Sequence, residues 1–321
     1  MSTLILVSPA LAAANTGNWH TAFRWSRMLA GHYEVRLLPE WRAADPGADA
    51  LVALHARRSA RSIDAWATAR PGRPLIVVLT GTDLYRDIGT DANARRSLAQ
   101  ATRLVVLQER GRDEVPVAWR DKCVVIVQSA PALRPAVKST RRLGVVMAGH
   151  LRAEKDPLTF MRAVRRLHAR ADLRFDHVGA ALDPSLADAA RALARDDARY
   201  RWHGGLGRPE TRQRIKRAHL LVNASVMEGG AQVVIEAVQS GTAVLASRIG
   251  GHVGLLGADH PGLFQVGDDA ALAALLERAR DDARFIDRLL DHGRSRAPLF
   301  DPGAERASLL HLIDRSLENH R

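Results

Sequence analysis

Leu143-Gly-Val-Val-Met-Ala-Gly-His-Leu-Arg-Ala-Glu-Lys-Asp-Pro157 decides the fold of this chain. Leu143–Met147 is an apolar run of strand length, and Gly149, lacking a Cβ, lets the backbone turn sharply as it leaves a sheet. Asp156 and Pro157 have the chemistry of an N-cap and a first helical residue. Phe160, Met161, Val164, Leu167 and His168 then follow on one face of a helix. Just before this stretch, Pro131–Arg142 holds two prolines, a lysine and three arginines with no clear period, and reads as a linker. A strand-turn-helix pattern therefore restarts at Leu143, after an earlier set.

The earlier set is visible upstream. Strands are expected at Leu4–Ser8, Val35–Leu38, Leu51–Leu54, Leu75–Thr80, Leu104–Leu107 and Cys123–Val127, with helices at Trp19–Ala30, Ser59–Ala69 and Ala94–Ala101. Downstream the pattern predicts strands Leu173–Val178, Leu220–Asn223 and Thr242–Ser247, and helices Ser185–Ala194, Glu210–Ala218 and Gln232–Gln239. Continuous Val/Ile/Leu runs separated by helices indicate parallel sheets covered on both faces. The expected class is α/β, with two Rossmann-like parallel-sheet domains, residues 1–135 and 136–300, facing a central cleft. A last helix in residues 301–321 carries Leu309, Leu310, Ile313 and Leu317 on one side and needs a surface, for which the first domain is a candidate. Ligands in such sheets bind at the carboxyl ends of the strands.

Composition narrows the partners. The 321 residues are 46% hydrophobic and 26% charged, which is globular rather than disordered. The longest apolar runs, such as Leu75–Leu79, are strand-length and leave no membrane span. Met1-Ser-Thr-Leu-Ile-Leu-Val-Ser-Pro9 has no basic n-region and reads as a first strand, not a signal peptide. Cys123 is the single cysteine, so neither a disulfide framework nor a cysteine metal site is available, and a reducing, cytoplasmic setting is expected. Lys+Arg 47 against Asp+Glu 35 gives +12, a balance that suggests a polyanionic partner. Yet only Lys122, Lys138, Lys155 and Lys216 are lysines, the skew of a GC-rich coding bias. The arginines (Arg162, Arg165, Arg166, Arg170; Arg212, Arg214, Arg217) interleave with apolar positions, as on solvated helix faces. With no aromatic-plus-basic cluster, small-molecule substrates are expected rather than nucleic acid or membrane.

Two clusters could carry chemistry in the second half. Arg152 and Lys155 project from a loop at a strand's carboxyl end, which suits a phosphate group; the alternative is that Lys155 decorates a capped turn. The second cluster is Asn223-Ala-Ser-Val-Met-Glu-Gly-Gly-Ala-Gln-Val-Val-Ile-Glu236. Its glycines would expose backbone amides at a helix N-terminus, an anion site. Glu228, just before them, suits the hydroxyls of a sugar. Glu236 lies at most ~12 Å further along a helix rising 1.5 Å per residue, about the span from a sugar across a diphosphate to a ribose. The structural alternative makes Glu228 a helix-start residue and Glu236 a solvated one, although Ile235 and Ala237 flank it.

Glu-x7-Glu following Gly-x5-Lys resembles the nucleotide-sugar domain of family 4 glycosyltransferases, which have the GT-B fold. The resemblance implies that Glu228 contacts the donor sugar, Glu236 the ribose, and Lys155 the diphosphate. Gly149 and the amides of Gly229, Gly230, Ala231 and Gln232 would line the sugar and phosphates. Two departures stand out. His150 occupies the place of the family's usual phosphate arginine, with Arg152 as a substitute. Glu228-Gly-Gly-Ala231 replaces the usual Glu-Gly-aromatic-Gly, which reshapes the donor pocket. Gly241-Thr-Ala-Val-Leu-Ala-Ser-Arg-Ile-Gly-Gly251 adds to the specificity of the match.

In the first half, Asn15-Thr-Gly-Asn-Trp19 links the first strand to its helix. Gly17 would allow close approach of the donor phosphates and Asn18 would face the acceptor, or the segment is a simple turn and cap. His55-Ala-Arg-Arg-Ser59 places Arg57 and Arg58 at a βα turn, as an anionic acceptor needs, unless both are surface charge. Thr80-Gly-Thr-Asp-Leu-Tyr-Arg86 adds Thr82 and Asp83, the latter a general base or a loop-capping carboxylate. Together with Val106-Leu-Gln-Glu109 and Gly149–Lys155, these strings resemble, essentially end to end, the selenosugar synthases of selenoneine biosynthesis. That resemblance implies transfer of a sugar from a UDP-sugar, typically UDP-N-acetylglucosamine, to the selenium of selenophosphate, with release of UDP. Lys155, Arg152 and Glu228 would be catalytic, and Asn18, His55, Arg57, Arg58, Thr82 and Asp83 would hold the acceptor. Other enzymes of that pathway would be its protein partners. No metal-ligand cluster is visible, and a helix N-terminus with a lysine can hold a diphosphate, so no cofactor or metal is expected. The rival readings are a family 4 transferase acting on a sugar or lipid hydroxyl, a GT-B epimerase of UDP-N-acetylglucosamine, and a basic nucleic-acid-binding protein.

Overall fold

The computed structural model describes residues 1–9 and 17–319. Asn15 and Thr16, read above as part of a turn, lie outside the described residues. The chain divides into two compact units, Met1–Gln128 with Pro302–Arg321, and Ser129–Asp301. Each is built on one six-stranded sheet whose strand pairs are all parallel.

In the first unit the strands are β1 (Thr3–Val7), β2 (Glu34–Leu38), β3 (Ala50–Leu54), β4 (Leu75–Leu79), β5 (Arg103–Val106) and β6 (Cys123–Val125), in the order β2-β1-β3-β4-β5-β6. Every residue of β3 and β4 is buried, because helices cover both faces and no position of a central strand meets water. One face packs Ile63, Trp66 and Leu98 of α2 (Ala60–Ala69) and α4 (Ala92–Gln100), together with Trp41, onto the sheet. Trp41 and Trp66 meet edge to face at 5.0 Å. A single turn, α3 (Ile88–Thr90), precedes α4, and α5 (Gly111–Glu114) follows β5. The other face is closed by α1 (Gly17–Leu29), through Ala22, Trp25 and Leu29, and by Leu309, Leu312 and Ile313 of the last helix, Pro302–Glu318. That helix is fastened by one buried carboxylate: Glu305 accepts from the Trp25 indole at 2.7 Å and pairs with Arg24 at 3.0 Å.

The second unit orders its strands β12-β11-β10-β7-β8-β9. These are β7 (Leu143–Ala148), β8 (Leu173–Val178), β9 (Tyr200–Trp202), β10 (Leu220–Asn223), β11 (Ala243–Ser247) and β12 (Leu263–Phe264). Helices α6 (Pro157–Arg166), α7 (Pro184–Asp196), α8 (Arg208–Arg217), α9 (Gln232–Val238), α10 (Gly250–Leu256), α11 (Asp269–Asp281) and α12 (Ala283–Arg296) complete it, and α13 is the last helix already described. Phe160, Phe175, Leu245, Leu272 and Phe285 meet in its core. Asp156 and Pro157 open α6 as N-cap and first residue. His168 does not join the apolar face of α6: the helix ends at Arg166, and His168 is exposed beyond it.

Candidate functional site

In the second sheet the chain runs from β7 to β8 and β9 on one side, then returns to place β10 on the other. Between β7 and β10 lies the topological switch point, where such sheets open a crevice at their carboxyl ends. The loops that flank it are the two clusters singled out from sequence. After β7, Gly149 donates its amide to Val178 at 2.8 Å. The next loop must come very close: a Cβ on Gly179 would lie 1.9 Å from the Gly149 carbonyl oxygen. Gly179 is thus a residue the sequence reading missed, although a glycine directly after strand Leu173–Val178 was a usable signal. His150 Nδ1 accepts from the Ala180 amide at 3.0 Å. Arg152 is extended, and its Nε is buried with no partner among the described residues. Asp156 takes a left-handed φ of 41° and its carboxylate caps Thr159, accepting from the amide at 3.2 Å and the hydroxyl at 2.5 Å.

These bends aim Lys155 at Glu228: Nζ lies 2.5 Å from Oε1, with side-chain exposures of 17% and 11%. The same oxygen accepts from Ser225 Oγ at 2.7 Å, with Asn223 Nδ2 at 3.4 Å. Val226 donates its amide to Glu154 at 3.0 Å, tying the two loops together. Burial opposes ionisation of Glu228, but the charge of Lys155 and the hydrogen bonds from Lys155 and Ser225 prevail and hold the carboxyl at about 2. It is ionised at neutral pH. Gly229, Gly230 and Ala231 lead into α9, and Ala231, at the N-cap, provides no side-chain cap for the first-turn amides. The Gln232 side chain donates to the Ser129 carbonyl at 3.0 Å. Glu236 is buried on α9, so the solvated-face alternative does not hold; its Oε1 accepts from Arg208 Nε at 3.0 Å. Arg208 was not anticipated, because its partner is distant in sequence.

The first sheet has its own switch point, between β1 and β3. His55 leaves β3 with φ 74°, a left-handed conformation that costs a β-carbon residue about 1–3 kcal/mol. Its ring is buried. Nδ1 accepts from the Arg58 amide at 3.3 Å, so Nε2 carries the proton and donates to Thr82 Oγ1 at 3.0 Å. Burial, helped by Arg58 and Arg57, lowers the ring's pKa against the pull of Asp83 and Asp87, and His55 is neutral. Asp83 is fully buried: Oδ1 accepts from the amides of Thr80 and Gly81, and Oδ2 from that of Ala56, each at 2.9 Å. This is the loop-capping arrangement, joining the loop after β3 to the loop after β4. Asp83–Asp87 forms one wide π-type turn, which brings buried Asp87 within 3.0 Å of Arg57 Nε. Arg57 and Arg58 are exposed, and Arg58 has no ion-pair partner among the described residues. Gly17 and Asn18 open α1, where Gly17 is exposed and Thr21 Oγ1 donates to its carbonyl at 3.0 Å.

Among the described residues no three His, Cys, Asp or Glu side chains are grouped to hold a metal ion. No described helix is long and apolar enough to cross a membrane.

Two parallel six-stranded sheets with paired switch points define a class. The fold is GT-B, and comparisons with solved structures agree over the whole chain. Sucrose-phosphate synthase from Thermosynechococcus elongatus superposes with a TM-score of 0.78 at 16% identity, covering 98% of this chain and 99% of that one. HepE from Anabaena, in complex with UDP and glucose, does so with a TM-score of 0.77 at 14% identity, covering 98% and 100%. A glycosyltransferase from Rickettsia africae gives 0.75 at 14% identity, covering 99% of each chain. Residues 142–282 match the family model described as glycosyl transferases group 1. That stretch lies within the second unit. No curated protein sequence matches the chain.

Proposed function

We propose that the protein is a glycosyltransferase that uses a UDP-sugar, with UDP-N-acetylglucosamine as the donor and selenophosphate as the acceptor. The observation that carries the donor half is the Lys155–Glu228 pair at the β7/β10 switch point, within the stretch that matches the group 1 model. An incoming diphosphate offers Lys155 a denser anion than one carboxylate, and Glu228, still held by Ser225, is left to accept from sugar hydroxyls. Similar folds support this choice of donor class: the Anabaena protein is seen with UDP and glucose. The acceptor half rests on the sequence strings that resemble selenosugar synthases. It is supported by an exposed Arg58, by Arg57, and by a Thr82 hydroxyl that accepts from His55 and so keeps its own proton for an anion.

The chemistry balances simply. A selenium lone pair attacks C1 of the sugar, the C1–O bond to the β-phosphate breaks, and its electron pair leaves with UDP. Lys155 and Arg152 stabilise the charge that builds on the β-phosphate. Water then cleaves the Se–P bond of the product, giving phosphate and the selenol sugar. Selenium is anionic already, so the transfer needs no strong base, in keeping with an Asp83 whose two oxygens serve backbone amides.

Incubation with UDP-N-acetylglucosamine and selenophosphate tests this: UDP and a selenium-containing sugar should appear together. UDP formed only with a hydroxyl acceptor would replace the reading with an ordinary transferase, and an isomerised donor with an epimerase. Lys155→Ala and Glu228→Ala should each cut turnover by about 100-fold or more while the fold persists; near-normal rates would refute the donor site.

A further inference from the structure

Behind Glu228 lies a chain of buried polar groups that the reading above leaves unused. His252 sits in the first turn of α10 and is fully buried. Its Nδ1 lies 2.7 Å from the Ser247 carbonyl oxygen and 3.2 Å from Ser247 Oγ. A carbonyl can only accept, so Nδ1 carries the proton and Nε2 is left with a lone pair. That Nε2 is buried with no hydrogen-bond partner among the described residues, an arrangement a protein interior rarely keeps without cause. Ser247 Oγ in turn donates to the Ser225 carbonyl at 2.5 Å, and Ser225 Oγ reaches Glu228 Oε1 at 2.7 Å. The backbone makes a second connection. A Cβ on Gly251 would lie 2.1 Å from the Glu228 carbonyl oxygen, so the first turn of α10 rests directly on the Glu228 peptide.

We propose that His252 is a positioning residue for Glu228, fixing its carboxylate through Ser247 and Ser225 and its peptide through the first turn of α10. This rests on the donor-site reading above. A glutamate that must meet sugar hydroxyls needs its carboxylate placed to within a fraction of an ångström. Ser225 alone cannot supply that placement, because its single proton is shared between Glu228 Oε1 and Asn223 Oδ1, at 2.6 Å. Anchoring the Ser225 peptide from below removes that freedom. The titratable groups within electrostatic reach of the ring are Glu228, Lys155 and His260. Burial lowers the ring's pKa, Glu228 raises it and Lys155 lowers it, so the neutral form is the one that holds Ser247.

The test uses two variants of the full chain and two readouts. His252→Leu removes the donor to Ser247; His252→Asn restores one at the Nδ1 position. With UDP-N-acetylglucosamine, His252→Leu should lower kcat by about tenfold or more while the Kd for UDP, which has no sugar to meet Glu228, changes less than about threefold. His252→Asn should recover most of kcat. Equal kcat in wild type and His252→Leu would overturn the proposal, as would equal losses in both variants. The second readout needs no turnover: the ring nitrogens of His252, followed by NMR, should show the Nδ1–H tautomer and should shift in Glu228→Gln. Ring signals indifferent to Glu228→Gln would overturn it even if His252→Leu does not fold. A wild-type protein that binds no UDP but shows the coupled ring signals would sink the donor reading and leave the positioning intact.

Discussion

Lys155 and Glu228 each depend on the other for burial. With Lys155 present the Glu228 carboxyl is held at about 2 against an ordinary 4.5. The depressed value means the pair's stabilisation is complete above about pH 4.5 and disappears as pH falls through 2. Removing the cation reverses the sign, because burial is the largest influence on this carboxyl and it raises the pKa. Lys155→Met should therefore cost about 3 kcal/mol at pH 7, and the deficit should shrink as the solution is acidified and the orphaned carboxyl takes a proton. Urea denaturation at pH 7 and pH 4.5 measures both, and Lys155→Met with Glu228→Gln should regain most of the loss. Asp83 and Asp87 divide differently. Asp83 accepts from three amides, and an asparagine there would turn an NH2 toward a donor. Asp83→Asn should thus destabilise the fold by about 2 kcal/mol. Asp87→Asn, whose ion partners Arg57 and Arg86 are exposed, should change stability little and, on the proposed function, raise the KM for the proposed anionic acceptor. A fully stable Asp83→Asn with lost kcat would instead make Asp83 the general base.

At the scale of elements, the strands most easily read were those buried on both faces. Leu75–Leu79 and Leu51–Leu54 have no solvent side, so hydrophobicity is continuous and the run length is the strand length. The edges were not legible. β9 is Tyr200–Trp202 with Arg201 exposed at its centre, and β12 is two residues long; neither has enough positions to show a period. α11 and α12 carried a usable signal, since Asp268 caps α11 and Leu272 and Leu276 share its buried stripe, but interspersed Arg and Asp diluted it. For the site, loop chemistry brought Lys155 and Glu228 within view, because glycines and charges after strands are local features. Partners supplied by another loop, such as Asp87, Arg208 and His252, depend on strand order and could not be read locally, whereas Gly179, directly after a strand, left a local signal. Gly179 offers the sharpest check. Alanine there would place a methyl carbon 1.9 Å from the Gly149 oxygen, which only backbone movement can relieve. Gly179→Ala should lose about 2 kcal/mol or more and weaken UDP binding, whereas Gly17→Ala, with open space around it, should be stable; calorimetry of unfolding and of UDP binding decides.

For the molecule as a whole, part of the arginine content behind the net charge of +12 is taken up in ion pairs. Arg162 and Arg166 pair with Asp269, Arg170 with Asp172 and Asp281, and Arg280 with Asp172. Such half-solvated pairs contribute little to stability. The consequential long-range feature is the return of Pro302–Arg321 to the first unit. One face of the first core is built from both ends of the chain: Leu309, Leu312 and Ile313 lie against the same cluster as Leu4, Leu6 and Trp25. Removing residues 302–321 would uncover that face and leave Arg24 and the Trp25 indole without Glu305. The second unit has a separate core, centred on Phe160, Phe175 and Phe285. Truncation before Pro302 should therefore raise amide exchange in α1, β1 and β2 while β7, β8 and β10 keep their protection. Glu305→Ala should reproduce part of the effect, by about 2 kcal/mol, because it leaves the buried Trp25 indole donor without its acceptor. Uniform loss of protection across both sheets would mean instead that the two cores unfold as one cooperative unit.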